Sequence, residues 1–304
     1  MRGFLGLTKR NILVYFKDFQ AVIFSLMTSI IVFALYLLFL KDSYVESIEN
    51  SMKGLEDYIT SGNVEMLVNL ILLTGILGSA LITVPYNCLT TIVSDKEKKI
   101  DYDILATPIK RWKIIVSYFL SATISAIIMS SIILTTGLLI LKSMGDLYIS
   151  SQSVAYAYLL IVVGACSTTA LFMIVIMFFK TVSSAGAFSG LLSAASGFVI
   201  GAYIPTSEFS EEVQTFCNIF PGTHTTVVFR NLLIKGLLKH IDNEIGGIDK
   251  GNFVKGMKET FAFNISFLGD KIKLSDSVLY VIIMTFVSVL VMIFVYNKTY
   301  KRKS

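Results

Sequence analysis

Six stretches of this chain contain no Asp, Glu, Lys or Arg and are each long enough to cross a bilayer: residues 21–40, 66–93, 114–141, 154–179, 182–204 and 277–297. A helix needs about 20 apolar residues to span the hydrocarbon. Lipid offers no partner to an unpaired amide, so only helices and closed barrels cross it, and a barrel would show short alternating strands instead of unbroken apolar runs. The chain therefore reads as an all-α integral membrane protein with six transmembrane helices. Its charge content agrees, since 15% of the 304 residues are charged, against about 25% in soluble domains.

Charge placement gives the orientation. Fifteen basic residues flank the spans on one side: Arg2, Lys9, Arg10 and Lys17 before the first, Lys96, Lys98, Lys99, Lys110, Arg111 and Lys113 between the second and third, Lys180, and Lys298, Lys301, Arg302 and Lys303 in the tail. The short loops opposite hold three, Lys41, Lys53 and Lys142. Cytoplasmic loops carry the Lys/Arg excess, so both termini are expected in the cytoplasm. Helix parity then places residues 205–276 outside; loops longer than roughly 60 residues translocate largely regardless of charge. The net charge of +5 follows this topology rather than forming a nucleic-acid patch. Gly3–Phe19 has helical periodicity, with Phe4, Leu5, Ile12, Tyr15, Phe16 and Phe19 on one face, which predicts an amphipathic helix in the cytoplasmic interface. No cleavable signal peptide is evident before the first span, which is expected to act as an uncleaved signal.

Several chemistries are disfavoured. There is no GxxxxGK[ST] phosphate loop, so ATP hydrolysis by that mechanism needs another subunit. No charged residue lies deep in a span, as an ion relay would require. The two histidines, His224 and His240, fall in the outer region, where His224 is expected to hydrogen-bond a turn rather than hold a metal. Cys88, Cys166 and Cys217 show no metal spacing; the first two lie in spans and read as small packing residues, and Cys217 is expected outside and unpaired, which disfavours a disulfide framework. No catalytic constellation can be assembled, so the chain does not read as an enzyme.

The connections carry more information than the spans. In Ser94–Lys113, Ser94 with Glu97 forms a capping box, and Thr107 before Pro108 fits an N-cap with proline in the first turn. The spacing predicts a helix over 95–105, a break, and a new helix entering the third span. In the fifth span, Gly186 and Gly190 stand four apart, as do Gly197 and Gly201, a spacing that lets helix backbones approach closely. A subunit interface and packing within one chain both account for it. Beyond that span, Pro205 should end the helix, Ser210 can cap a short one, Pro221-Gly222 reads as a turn, and Thr225–Leu238 is amphipathic. Two helices too short to span predict partial re-entry into the bilayer or a lid; residues 240–276 read as a small outer elaboration.

This order of an amphipathic helix, six spans, a loop reading EKKIDYDILATPIKRWKII and a later P…FP…T…FR segment resembles the ABC-2 type (type V) transporter permease family. The resemblance covers most of the chain, departing at Ile100-Asp101, where a glycine is common, and beyond Asn243. It implies that 95–105 is a coupling helix seated on a separate ABC ATPase subunit, through Lys96, Glu97, Lys98, Lys99, Asp101, Asp103, Thr107, Pro108 and Arg111. It also implies that Pro205, Phe220, Pro221, Thr223 and Arg230 belong to short extracellular re-entrant helices. Further implications are a dimer with a second copy or a paralogue, ATP and magnesium bound by the ATPase and no cofactor in this chain, and export across a bacterial plasma membrane. Drugs, antimicrobial peptides, lipid-linked glycans and sodium are cargoes within the family; the charge-poor spans suit an amphipathic or lipid-like one. A non-transporting sensor or scaffold that binds a ligand through its outer loop remains the alternative.

Overall fold

A computed structural model describes residues 2–52, 54–55, 58–267 and 269–299; Lys53 and the tail residues Lys301, Arg302 and Lys303 lie outside them. In chain order the elements are α1 (Arg2–Lys17), α2 (Phe19–Leu35), a π-helical stretch Tyr36–Leu40, α3 (Lys41–Ser51), α4 (Ser61–Glu97), α5 (Ile100–Ala106), α6 (Arg111–Met144), α7 (Ser151–Ile176), α8 (Val182–Val199), a 3-10 turn Thr206–Glu208, α9 (Glu211–Asn218), α10 (Pro221–Ile245), α11 (Asn252–Thr260), β1 (Ile265–Phe267), β2 (Asp270–Ile272) and α12 (Leu274–Thr299). The two strands form an antiparallel hairpin with Ile265 opposite Ile272. Six helices are long and apolar enough to cross a membrane: Phe19–Asn50, Ser61–Glu97, Arg111–Met144, Ser151–Ile176, Val182–Val199 and Leu274–Tyr296.

Most helices outrun the charge-free stretches, because a polar residue beyond the hydrocarbon does not end a helix. The first continues past Lys41, whose ammonium pairs with Glu65 at the start of α4. Side chains cap several starts: Asp18, Thr60, Ser150 and Thr181 each accept from the backbone N–H three residues on. The fifth helix is shorter than the predicted 182–204. It stops at Val199 because Gly201 takes a left-handed φ of 67°, the Gly201 N–H donates to the Phe198 carbonyl and the Ala202 N–H to that of Gly197. That pair of bonds is a Schellman closure, reached before Pro205.

Helix α4 is the hub, packed against α2, α6, α7, α8 and α10, with Leu70, Leu77, Leu81, Val84 and Tyr86 fully buried. Its 37 residues extend about 55 Å at ~1.5 Å per residue, well beyond the ~30 Å hydrocarbon. Pro85 lies inside it and cannot donate to the Leu81 carbonyl; Thr168 of α7 donates its hydroxyl there instead, at 2.7 Å. Helix α12, at the periphery, exposes Leu279, Ile283, Phe286, Leu290 and Phe294, the large apolar face that suits lipid.

Helix α10 corrects an expectation. Pro221-Gly222 is not a turn between two short helices: Phe220 is the N-cap and Pro221 the first residue of a 25-residue helix, a position where its missing N–H has no partner to lose. Its first ten residues, Pro221 to Arg230, are all buried among α4, α7 and α12. A Cβ on Gly78 of α4 would stand 2.1 Å from Thr226 Oγ1, and one on Gly222 would stand 2.9 Å from Ile82 Cδ1, so glycines let the two helices meet closely.

Candidate functional site

The site is built at the basic end of the bundle, where α4 terminates. Asp95, in its last turn, is 2% exposed. Arg10 of α1 grips its carboxylate with two nitrogens, at 2.5 and 2.7 Å, and Tyr118 of α6 donates to it at 2.5 Å. Hydrogen bonding to Asp95 holds the Arg10 guanidinium above its ordinary value. Through the buried Asp95, the half-buried Arg10 and Tyr118, three helices are joined. No local pattern pairs residues 85 apart, which is why the sequence read Arg10 as a basic flank and Asp95 as a helix start. The face of α1 turned to the bundle is only in part the predicted apolar one: Tyr15 is buried and Phe16 packs on the core, but Thr8 and Asn11 are buried beside them, whereas Leu5 and Phe19 (beyond α1's end) are exposed.

The predicted helix over 95–105 is divided in two. Residues 95–97 are the end of α4, Lys99 adopts a left-handed φ of 61°, and α5 begins at Ile100. Ser94 and Glu97 form no capping box because the helix runs through them, with the Lys98 N–H donating to the Ser94 carbonyl. The Glu97 carboxylate instead accepts the backbone N–H of Val182, the first residue of α8, at 2.7 Å. Lys96 reaches the neighbouring turn, donating from Nζ to the Met177 carbonyl at 3.0 Å. Thr107 caps the end of α5, its hydroxyl donating to the Ile104 carbonyl at 2.6 Å. Its extended conformation is what a following proline imposes, so α6 starts at Arg111.

Of the predicted coupling residues, Lys98, Lys99, Asp103, Thr107 and Pro108 are exposed, and Lys96, Asp101 and Arg111 are half-buried. Glu97 is exposed but turned toward α8. Burial pushes the Asp101 carboxyl up from its usual range, and its Oδ1 has no hydrogen-bond partner among the described residues. The structure adds two side chains that charge patterning passes over: Tyr102 is 68% and Trp112 47% exposed. Aromatic residues inside a charged loop were the available signal.

At the opposite end Arg230 is 1% exposed and donates to the carbonyls of Gly201, Phe261 and Ala262. It ties the end of α8 and the end of α11 to α10. Pro205 leads into the 3-10 turn. Phe220 packs edge-on against Phe216. His224 pairs through Nε2 with the Asn218 carbonyl at 2.8 Å and stacks on Tyr280.

The four glycines of the fifth span separate. Gly186 and Gly190 face open space, whereas a Cβ on Gly197 would sit 2.3 Å from the Tyr203 ring, and Gly201 is the helix terminator. An interface role for all four is corrected accordingly, since Gly197 and Gly201 serve contacts within the chain. The open face of α8 borders an apolar groove against α2, lined by Leu35, Phe39, Ala194, Phe198 and Ile204.

A family model described as ABC-2 type transporter matches residues 2–234, from α1 into α10. No curated protein matches the chain.

Proposed function

We propose that this chain, which belongs to the ABC-2 type transporter family, is the permease subunit of an ATP-driven exporter whose energy comes from a separate ABC ATPase. The observation that carries the proposal is the exposed corner at the end of the hub helix. There Tyr102 and Asp103 on the short α5, and Lys98 and Lys99 in the bend before it, stand clear of the bundle. The basic end faces the cytoplasm by the distribution of Lys and Arg, which puts this corner within reach of a soluble ATPase.

Two chains, copies or paralogues, enclose the path. The open face of α8 with Gly186 and Gly190, beside the apolar groove against α2, is the surface they share. Its small side chains contrast with the Leu, Ile and Phe that α12 turns outward, and small residues at interfaces let membrane helices pack closely. α9 and the buried start of α10 form the re-entrant segment, dipping into the outer leaflet. The substrate is amphipathic, a drug, antimicrobial peptide or lipid-like molecule, because the spans offer apolar and hydroxyl surface and no charge. The location is the bacterial plasma membrane.

Purification from membranes in mild detergent tests this. The wild-type chain should bring down an ABC ATPase. Tyr102→Ala should weaken that association roughly tenfold, the effect of losing an aromatic anchor worth about 1–2 kcal/mol, and reversing charge at Lys98 and Asp103 should lower the ATP hydrolysis of the complex. No co-purifying ATPase, with hydrolysis indifferent to those charges, would sink the proposal in favour of a sensor or scaffold.

A further inference from the structure

We infer that Lys96 and Glu97 are positioning residues that relay displacement of α5 to α8 through the α7–α8 connection, rather than contacts to the ATPase. The inference rests on the proposed permease function. Helix α7 ends at Ile176 and α8 begins at Val182. A helix leaves its last carbonyls and first N–H groups unpaired, with partial negative charge at the former and positive at the latter. Lys96 places a cation on the Met177 carbonyl at 3.0 Å, and Glu97 places an anion on the Val182 N–H at 2.7 Å. Two consecutive side chains thus hold the two ends of one connection, each with the sign that end attracts.

The position of this clamp in α4 gives it a mechanical role. It occupies the last turn, immediately before the left-handed Lys99 at which the chain bends into the exposed α5. Asp95, next to it, is held by α1 and α6. Three consecutive residues therefore engage four other helices: Asp95 takes α1 and α6, Lys96 α7, and Glu97 α8. Farther along, Tyr86 donates to the Ala185 carbonyl at 2.9 Å and the Ser189 hydroxyl to Asn87 at 2.9 Å, so α8 follows α4 over several turns. Motion imposed on α5 reaches the helix with the open glycine face without passing through α6.

The test separates bonding from docking. Glu97→Gln keeps an oxygen that can accept the Val182 N–H, Glu97→Ala removes it, and Val182→Pro removes the donor from the other side, at a first-turn position that tolerates proline. Each is combined with Ser183→Cys, and maleimide labelling in excess of the parent chain is followed with and without ATP and vanadate in the intact complex. Wild type and Glu97→Gln should show a nucleotide-dependent change in labelling rate, and Glu97→Ala and Val182→Pro should lose it by roughly fivefold or more, the lower end of ordinary coupling between sites. ATPase co-purification should be unchanged in all of them.

Equal losses of ATPase binding in Glu97→Gln and Glu97→Ala would make Glu97 a docking charge and overturn the relay. So would a labelling response that survives Val182→Pro. A Glu97→Ala chain that does not fold leaves Val182→Pro to decide. A wild-type chain that brings down no ATPase overturns the permease proposal, and the relay with it.

Discussion

Arg230 shows how much one side chain can organise. With 1% exposure it donates to three carbonyls contributed by two separate segments. Its removal leaves three buried acceptors, at about 1–3 kcal/mol each. Arg230→Met should therefore lower stability by about 3 kcal/mol or more, read as a large drop in thermal unfolding temperature in detergent. Arg230→Lys should recover only part of it, since an ammonium cannot reproduce the planar fork. The sequence marked Arg230 as part of a motif but not its role, because its partners lie 29 to 32 residues away and are backbone atoms with no side-chain signature. Arg10 and Asp95 pair through their side chains, but across 85 residues, a separation that no local pattern spans. His224, by contrast, could be read locally, as its acceptor is six residues back on the adjoining helix.

Among whole elements, the apolar runs made six helices legible while hiding where those helices stop. Hydropathy registers the hydrocarbon, whereas caps and glycines set the ends: α8 closes at Gly201 and α4 continues to Glu97. The division between α4 and α5 escaped sequence reading because its bend falls on Lys99, a residue type with no preference for positive φ. Pro85 also leaves the Leu81 carbonyl of α4 without its helical donor, and the Thr168 hydroxyl of α7 donates to it. Thr168→Val should cost about 0.5–1 kcal/mol, the usual size of an interhelical hydrogen bond in a membrane protein. In a Pro85→Ala background α4 can supply its own N–H to Leu81, and the same substitution should cost less. A double-mutant cycle in unfolding measurements checks this, and equal costs in both backgrounds would show that the Thr168 hydroxyl does not serve the freed carbonyl.

At the scale of the molecule, the proposed topology puts α5 and α11 on opposite sides of the membrane. A membrane-impermeant maleimide applied to intact cells should label Lys250→Cys, and should label Tyr102→Cys only after the cells are opened. Helix α10 carries a consequence for synthesis. It contributes Thr223, His224, Thr225, Thr226 and Arg230 to the interior of the bundle, a stretch too polar to remain in lipid alone. Its partners α4 and α7 leave the ribosome before it and α12 after it. On the proposed topology this segment can seat on α4 and α7 as it emerges but is covered only when the last span arrives, so enclosing α10 is expected to be a late step in the birth of the chain.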